Sequence, residues 1–404
     1  MPLHPSLPPL DPAALAHGER VAAHLRQLIA AAGGWLSFDN WMAQALYAPG
    51  LGYYAAGSLK LAEAAANPGS GAAPGTGARA AAPSGDFVTA PELTPLFGQT
   101  VARQVAQVLE ATGTVDILEF GAGSGALAAS VIETLDANGL NVRYAIVEVS
   151  ADLKARQRAR LSRFGGRVTW LDGVPQRFAG CVLANEVLDA MPVQLLRWGE
   201  HGELLQRGVT VSSHGDFEWE DRPADAATRA LLAARMPPLP GYVTELNVQA
   251  EAWVGGMGDW LERGAALLLD YGFPQREYYH PQRSEGTLMC HLRHHAHANP
   301  LVYPGLQDIT AHVDFTAMAD AALEGGLDVL GYTSQARFLM NAGLMQTLAG
   351  LDPQDAVSHA RNMGPVQKLL SEAEMGELFK VLAVGRGIDV PLLGFTRGDR
   401  RGAL

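Results

Sequence analysis

The sequence predicts an α/β fold built on a Rossmann-like parallel sheet, and three observations carry that prediction. Short apolar runs alternate with helical patterns from residue 115 to 187, the signature of strands joined by crossover helices. A glycine-rich turn, Gly121-Ala122-Gly123-Ser124-Gly125, stands between the first of these strands and its helix. Acidic residues, Glu119, Glu148, Asp172 and Glu186, recur where strands end, the edge at which open α/β sheets bind ligands.

Each element follows in order. Residues 13–31 place Leu15, Val21, Leu25 and Leu28 on one helical face. Ser37 stands where it can cap a second helix over FDNWMAQALY, which Pro49-Gly50 ends. Residues 61–84 are rich in Ala, Gly and Pro without periodicity and are expected to form a flexible surface insertion. Residues 94–111 read as a helix. VDILEF (115–120), VRYAIVEV (142–149), RVTWLD (167–172) and CVLANEV (181–187) read as strands separated by helices, and ALLLDYG (266–272) as a later strand. GEHG and SSHG break 193–221 into three short strands, a β-meander inserted into the main domain. Residues 224–263 return to a helical pattern, and 280–304 read as a polar, His-rich loop. Beyond it come a helix near 315–324, a strand at DVLGYT and helices at SQARFLMNAGLM and VSHARNMGPVQKLL. The expected organisation is a helical region over 1–112, a core from 113–192 and 264–345, an inserted subdomain over 193–263 and a C-terminal elaboration over 346–404.

Composition narrows the partners. The 404 residues hold 30 Lys+Arg against 42 Asp+Glu, a formal net charge of −12. That acidic excess argues against bulk electrostatic binding to nucleic acid or an anionic membrane. With 48% hydrophobic and 18% charged residues the chain can bury a core. Cys181 and Cys290, the two cysteines, exclude a disulfide framework. No apolar run is long enough for a membrane span, and the start MPLHPSLPPLDP has no secretory pattern. Heavy use of Arg and Ala over Lys is the coding bias of a GC-rich bacterial genome, so a cytoplasmic bacterial protein is expected. Oligomeric state is left open.

The glycine loop fits two chemistries. G-x-G-x-x-A suits a dinucleotide fold, with Glu148 as the ribose acid on the second strand. The same spacing suits a site for S-adenosylmethionine. Three features favour the latter. Glu119, two residues before the first glycine, would repel a pyrophosphate but can pair with a methionine ammonium. Asp172 ends the third strand, where it can accept from an adenine amino group. The fourth strand runs into Asn185-Glu186-Val187-Leu188-Asp189-Ala190-Met191-Pro192, a polar cluster at the carboxyl edge.

Five motifs then resemble one family. Gly85-Asp86-Phe87-Val88-Thr89-Ala90-Pro91-Glu92 is similar to its GDFxTxPE signature, and LGYY (51–54), EFGAGSG, NEVLDAMPV and DITAHVDF (308–315) stand in the family's order. It is the MidA-like family, and the resemblance spans roughly residues 15–390. Its mitochondrial members are complex I assembly factors that methylate an arginine on the quinone-site subunit. The resemblance implies a Rossmann-like class I methyltransferase core carrying the meander and extra helices, with S-adenosyl-L-methionine as cofactor. It implies an arginine-containing protein substrate, with an NADH dehydrogenase subunit as the target it suggests. Gly121, Gly123 and Gly125 become the methyl-donor loop, with Glu119 and Glu148 beside it. Residues 85–92, with Asp86, Thr89, Pro91 and Glu92, become a lid over the methyl donor, although T-A-P-E alone reads as an ordinary helix start. The 61–84 segment departs from the family in length and composition.

A protonated guanidinium is a poor nucleophile, and carboxylates can bind it, orient it and offset its charge. Glu186 is the first candidate for that role and Asp189 the second, with Asn185 holding the substrate or positioning the methyl donor. Competing readings are a small-molecule methyltransferase and a non-catalytic assembly factor that binds the methyl donor for stability. The run from Cys290 to His297 has near-helical histidine spacing but no nearby acid or second cysteine, so no metal site is expected there. Asp308, Thr310 and Asp314 read equally as loop-positioning residues and as helix caps.

Overall fold

The computed structural model describes residues 7–56, 89–351 and 356–404. The expected insertion at 61–84 and Asp86 of the lid motif lie outside the described residues. In chain order the strands are β1 (Leu36–Ser37), β2 (Asp116–Phe120), β3 (Arg143–Val147), β4 (Val168–Leu171), β5 (Phe178–Asn185), β6 (Gln194–Trp198), β7 (Leu204–Val211), β8 (Phe217–Pro223), β9 (Val243–Leu246), β10 (Leu261–Phe273), β11 (Met289–Leu292), β12 (His295–His297), β13 (Asp308–Thr310), β14 (Val313–Asp314), β15 (Asp328–Ser334) and β16 (Phe379–Arg386).

The largest sheet runs β15-β16-β10-β5-β2-β3-β4, with β14 added beside β10. Strands β4, β3, β2, β5 and β10 are parallel, while β16 is antiparallel to both β10 and β15. The chain winds outward from β2 through β3 to β4, then returns to β5 and winds the other way. That reversal leaves a crevice at the carboxyl ends of β2 and β5, where crossover connections diverge.

The sheet is buried on both faces, which is why its strands read as unbroken apolar runs. Alternate residues of β10 serve opposite cores. Ala265, Leu267 and Leu269 face the helices Pro95–Thr112 and Ala126–Ala137, whereas Ala266 and Leu268 face Val248–Trp260 and Phe315–Glu324. Helix ends are locally encoded. The Thr94 hydroxyl accepts from the Leu96 N–H, and Gly113 ends the same helix at φ 67°.

Four expectations from the sequence need correction. The 224–263 stretch is not wholly helical, because β9 pairs with β6 and closes a five-stranded antiparallel sheet. The four-residue strand is too short to register against its helical flanks. The His-rich stretch is not a loop: β11 and β12 form a hairpin turning at Arg293-His294, and β13 completes a three-stranded sheet. Strand β16 comes from the segment read as a C-terminal elaboration, yet it pairs along most of β10. The N-terminal helices also part company with Pro95–Thr112. Residues of Pro12–Ala31 and Phe38–Tyr47 share a core with the meander and the β11–β13 sheet, and β1 pairs with β7.

Helices Val248–Trp260 and Phe315–Glu324 meet at backbone contact. A Cβ on Gly258 would lie 1.8 Å from the Gly325 carbonyl oxygen, and one on Gly325 would lie 2.2 Å from that of Gly255. Gly258→Ala is expected to cost about 1–3 kcal/mol through overpacking. Urea unfolding measures this, and wild-type stability in the variant would contradict so close a crossing.

Candidate functional site

A cavity of about 1660 Å³ opens at the crevice and runs from the glycine loop to the underside of the N-terminal helix. At one end, β2 delivers Glu119 and Phe120 into Gly121, Gly123 and Gly125, at φ 60°, 53° and 81°. Side chains other than glycine rarely adopt such values, so the loop turns sharply and leaves main chain facing the cavity. The Gly121 N–H donates to the Val147 carbonyl at 3.0 Å, anchoring the loop to β3. Gly123 lines the cavity, and a Cβ on it would meet nothing within 4 Å.

Buried acids flank this cradle. Glu119 is 2% exposed and accepts from the Tyr144 hydroxyl at 2.9 Å. Burial pushes its carboxyl up to about 8 against that hydrogen bond, and Glu148 nearby adds to the rise. Glu148 accepts from the Ser150 N–H and the Gln157 amide, each at 2.9 Å. Gln157 is fully buried and also donates to the Gly123 carbonyl at 2.9 Å, while its oxygen accepts from Trp170 Nε1. Gln157 therefore clamps the glycine loop to the acid of the second strand. Nothing in ADLKARQRARL singles it out, because its partners are tertiary. Asp172 stands exposed at the rim, 3.6 Å from the Lys154 ammonium.

The lid motif meets the same loop. Thr89 occupies the N-cap of Ala90–Leu93 without a side-chain hydrogen bond to it. Glu92 pairs with Arg160 at 3.0 Å and accepts from the Ser124 hydroxyl. Thr89, Pro91 and Glu92 line the cavity.

At the other end, β5 stops at Asn185 and the chain turns through Glu186, whose φ is 55°. Asn185 Nδ2 donates to Glu186 Oε1 at 3.0 Å. Asp189 is 4% exposed. Asn185 Oδ1 and Asp189 Oδ1 are buried acceptors with no protein partner. Burial and the Asp189 charge push Glu186 up to about 8. Burial also pushes Asp189 up to about 7, opposed by the Tyr271 hydroxyl and reinforced by Asp308. Three aromatic rings form the roof above these acids. Tyr47 stacks on Tyr54 at 5.5 Å, and Tyr53 meets Tyr54 edge-on at 5.0 Å. The Tyr54 hydroxyl donates to Asp308 at 2.8 Å and that of Tyr47 to the Ala190 carbonyl at 2.9 Å. Asp308 faces the cavity, whereas Asp314 caps Phe315–Glu324 by accepting from Thr316 and Ala317. The two readings left open for this motif thus divide between its two acids. Tyr47 lay unnoticed inside an amphipathic helix, and Tyr53 and Tyr54 were legible only through the LGYY resemblance.

Among the described residues no group of His, Cys, Asp and Glu could hold a metal ion, and no helix is long and apolar enough to cross a membrane.

Residues 100–333 match the model of an S-adenosyl-L-methionine-dependent methyltransferase family. The chain belongs to that family. A superfamily member from Burkholderia thailandensis, solved with S-adenosyl-homocysteine bound, is 51% identical with a TM-score of 0.90, covering 99% of this chain and 100% of that one. The mitochondrial protein arginine methyltransferase NDUFAF7 homolog of Drosophila melanogaster is 29% identical, covering 77% of this chain and 79% of its own. The NDUFAF7 methyltransferase of Danio rerio is 25% identical, covering 90% and 86%. The fold is that of a Rossmann-like methyltransferase, and the cofactor is S-adenosyl-L-methionine. The left-handed glycine cradle opening into the cavity, with a buried acid beside it, fits such a ligand.

Two predictions follow from this geometry. Gly123→Val is expected to abolish binding of S-adenosyl-homocysteine in calorimetry while the circular dichroism spectrum stays native, and unchanged affinity would contradict the cradle. The second concerns pH. Glu119, Glu186 and Asp189 keep protons in the folded chain that an unfolded chain has released above about pH 5. Folded protein then binds more protons than unfolded, so stability falls as pH rises through about 7 to 8. Histidines oppose this only below their unfolded value near 6.5. The urea midpoint of ligand-free protein should therefore fall from about pH 6.5 to 8, and Glu119→Gln should flatten the decline. A flat wild-type profile would contradict the buried acids.

Proposed function

We propose that this methyltransferase modifies an arginine side chain of a protein, with a respiratory NADH dehydrogenase subunit as the target suggested by the family resemblance. The observation that carries the reading is the pair of partnerless buried acceptors, Asn185 Oδ1 and Asp189 Oδ1, beside Glu186 at the cavity wall. Buried polar atoms are paired in native structures, so this end calls for a ligand rich in N–H donors. Crowded buried carboxyls call for a cation. A guanidinium supplies both in one planar group, and tyrosine faces above it add cation–π attraction. The relatives named protein arginine methyltransferases support the same substrate class.

The residues divide the work. We assign Gly121, Gly123 and Gly125, with Glu119, Glu148 and Asp172, to holding the methyl donor, and Thr89, Pro91 and Glu92 to covering it. When bound, the methyl donor supplies a methyl carbon carried on a sulfonium. Glu186, Asp189 and Asn185 accept from the guanidinium, aim one nitrogen and exclude water from it. As that nitrogen gains its N–C bond, the methyl carbon's bond to sulfur breaks with its electron pair left on sulfur; the nitrogen gives up one N–H proton, and the ionised carboxylate of Glu186 or Asp189 takes it. Product charge then equals substrate charge, and the acid returns the proton to solvent.

Glu186→Gln tests the assignment. It keeps the shape, so S-adenosyl-homocysteine should bind with wild-type affinity. Transfer of labelled methyl groups to protein in extracts of cells lacking the gene should fall at least a hundredfold, an effect of about 2.7 kcal/mol on the barrier. Mass spectrometry of the labelled band should show methylarginine. Label confined to small molecules, or wild-type rates in the variant, would overturn the reading.

A further inference from the structure

The loop that carries Glu186 and Asp189 does not hold itself. Glu186 is a non-glycine residue at φ 55°, a backbone state that costs free energy and persists only where neighbours enforce it. The enforcing group is Asp270, 1% exposed at the carboxyl end of β10. One of its oxygens accepts from the N–H groups of Val187, Leu188 and Asp189 at 3.1, 2.9 and 3.3 Å. The other accepts from the Tyr271 N–H at 2.9 Å. The Glu186 N–H itself donates to the Leu269 carbonyl at 2.9 Å. Consecutive main-chain donors converging on one carboxylate fix the direction of the turn.

The next residue handles the side chain. The Tyr271 ring is wedged edge-on between His312 at 5.2 Å and Phe379 at 5.3 Å. Phenylalanine would satisfy that packing equally. The hydroxyl adds one thing: Asp189 and Thr310 are both within its hydrogen-bonding reach. We propose that Asp270 and Tyr271 are the positioning residues of the acceptor end, Asp270 fixing the backbone of 186–189 and Tyr271 orienting Asp189 and easing its passage to the proton-accepting form. This rests on the proposed role of Asp189.

Main-chain N–H groups of Asp189 and Ala190 also favour its ionised form, and among the side chains around it Tyr271 is the one that does so. Glu186 on its own loop, Asp270 on β10 and Asp308 on β13 are like charges that oppose ionisation. Tyr47 and Tyr54, from the N-terminal helix and the turn after it, are neutral. His312 beside β14 is held neutral, its imidazole pushed down to about 4 by burial and by Arg283 and Lys380. A phenol hydroxyl donating to the carboxylate favours the charged form.

Methyl transfer to protein in extracts of cells lacking the gene, followed from pH 6 to 9, tests this alongside selective carboxyl NMR titration of Asp189. Tyr271→Phe should move the rising limb of kcat/KM and the Asp189 titration together to higher pH, with a tenfold or greater loss at pH 7. S-adenosyl-homocysteine affinity should be unchanged. Asp270→Asn should lower kcat at least tenfold while KM changes less than threefold. If Asp270→Asn fails to fold, Tyr271→Phe decides alone. An unshifted profile and titration in Tyr271→Phe, with Asp189→Asn inactive, would overturn this inference and leave the arginine reading standing. Wild-type transfer by Asp189→Asn would overturn the role of Asp189 and this inference with it, while the arginine reading is decided by the labelled product.

Discussion

Burial of acidic side chains is the constraint around which the site is arranged. Glu119, Asp189 and Asp270 lie at strand ends with almost no water to solvate them, and Glu186 beside them is half-buried. Unpaired carboxylates in such surroundings hold their protons or find a cation. Among the described residues none of these acids is paired with Lys or Arg. The fold thus keeps stability in reserve that a cationic ligand can release, and a methyl donor bearing an ammonium and a sulfonium is such a ligand. A guanidinium at the opposite end is the proposed second one.

The sheet makes both ends one device. Strand β5 lies between β2 and β10, so the glycine loop leaves one neighbour, the Glu186 turn leaves the middle strand and Asp270 leaves the other. Parallel pairing sets their relative heights through backbone registers that side-chain substitutions hardly disturb. Gln157 and Asp270 are counterparts across this arrangement. Each is a buried side chain that holds an irregular loop through main-chain groups, and neither reaches the ligand space through which the chemistry runs.

How much was legible in the sequence follows from distance along the chain. The strands β2 to β5, the glycine loop and the acids beside them are local patterns, read from apolar periodicity and turn chemistry within windows of a few residues. Gln157 was invisible because its partners Gly123 and Glu148 are 34 and 9 residues away, and it sits in a polar helix. Asp270 reads only as the polar end of an apolar strand, since the groups it holds are 81 to 83 residues earlier. Strand β16 carries an apolar run like any buried strand, but VSHARNMGPVQKLL before it suggested a helical tail. Antiparallel insertion between β10 and β15 is a tertiary choice that periodicity does not encode.

The acceptor end shows the same rule at its limit. Its floor is the β5 turn, its back wall β10, its side the β11–β13 sheet and its roof the tyrosines near residue 50. Roof and side are joined by the Tyr54–Asp308 hydrogen bond, and Arg293 on the hairpin turn donates to Pro9 and Asp11 ahead of the first helix. Arg293 and His294 hold φ values of 48° and 67° in that turn, where glycine or asparagine would be easier. That backbone strain accompanies the contact between hairpin and N-terminus, and the contact shapes the chamber. A methyl donor common to many enzymes can be held by one strand–loop–helix unit with a readable signature. On the proposed function, selection of the acceptor draws on several distant segments, so it is written in the assembled walls.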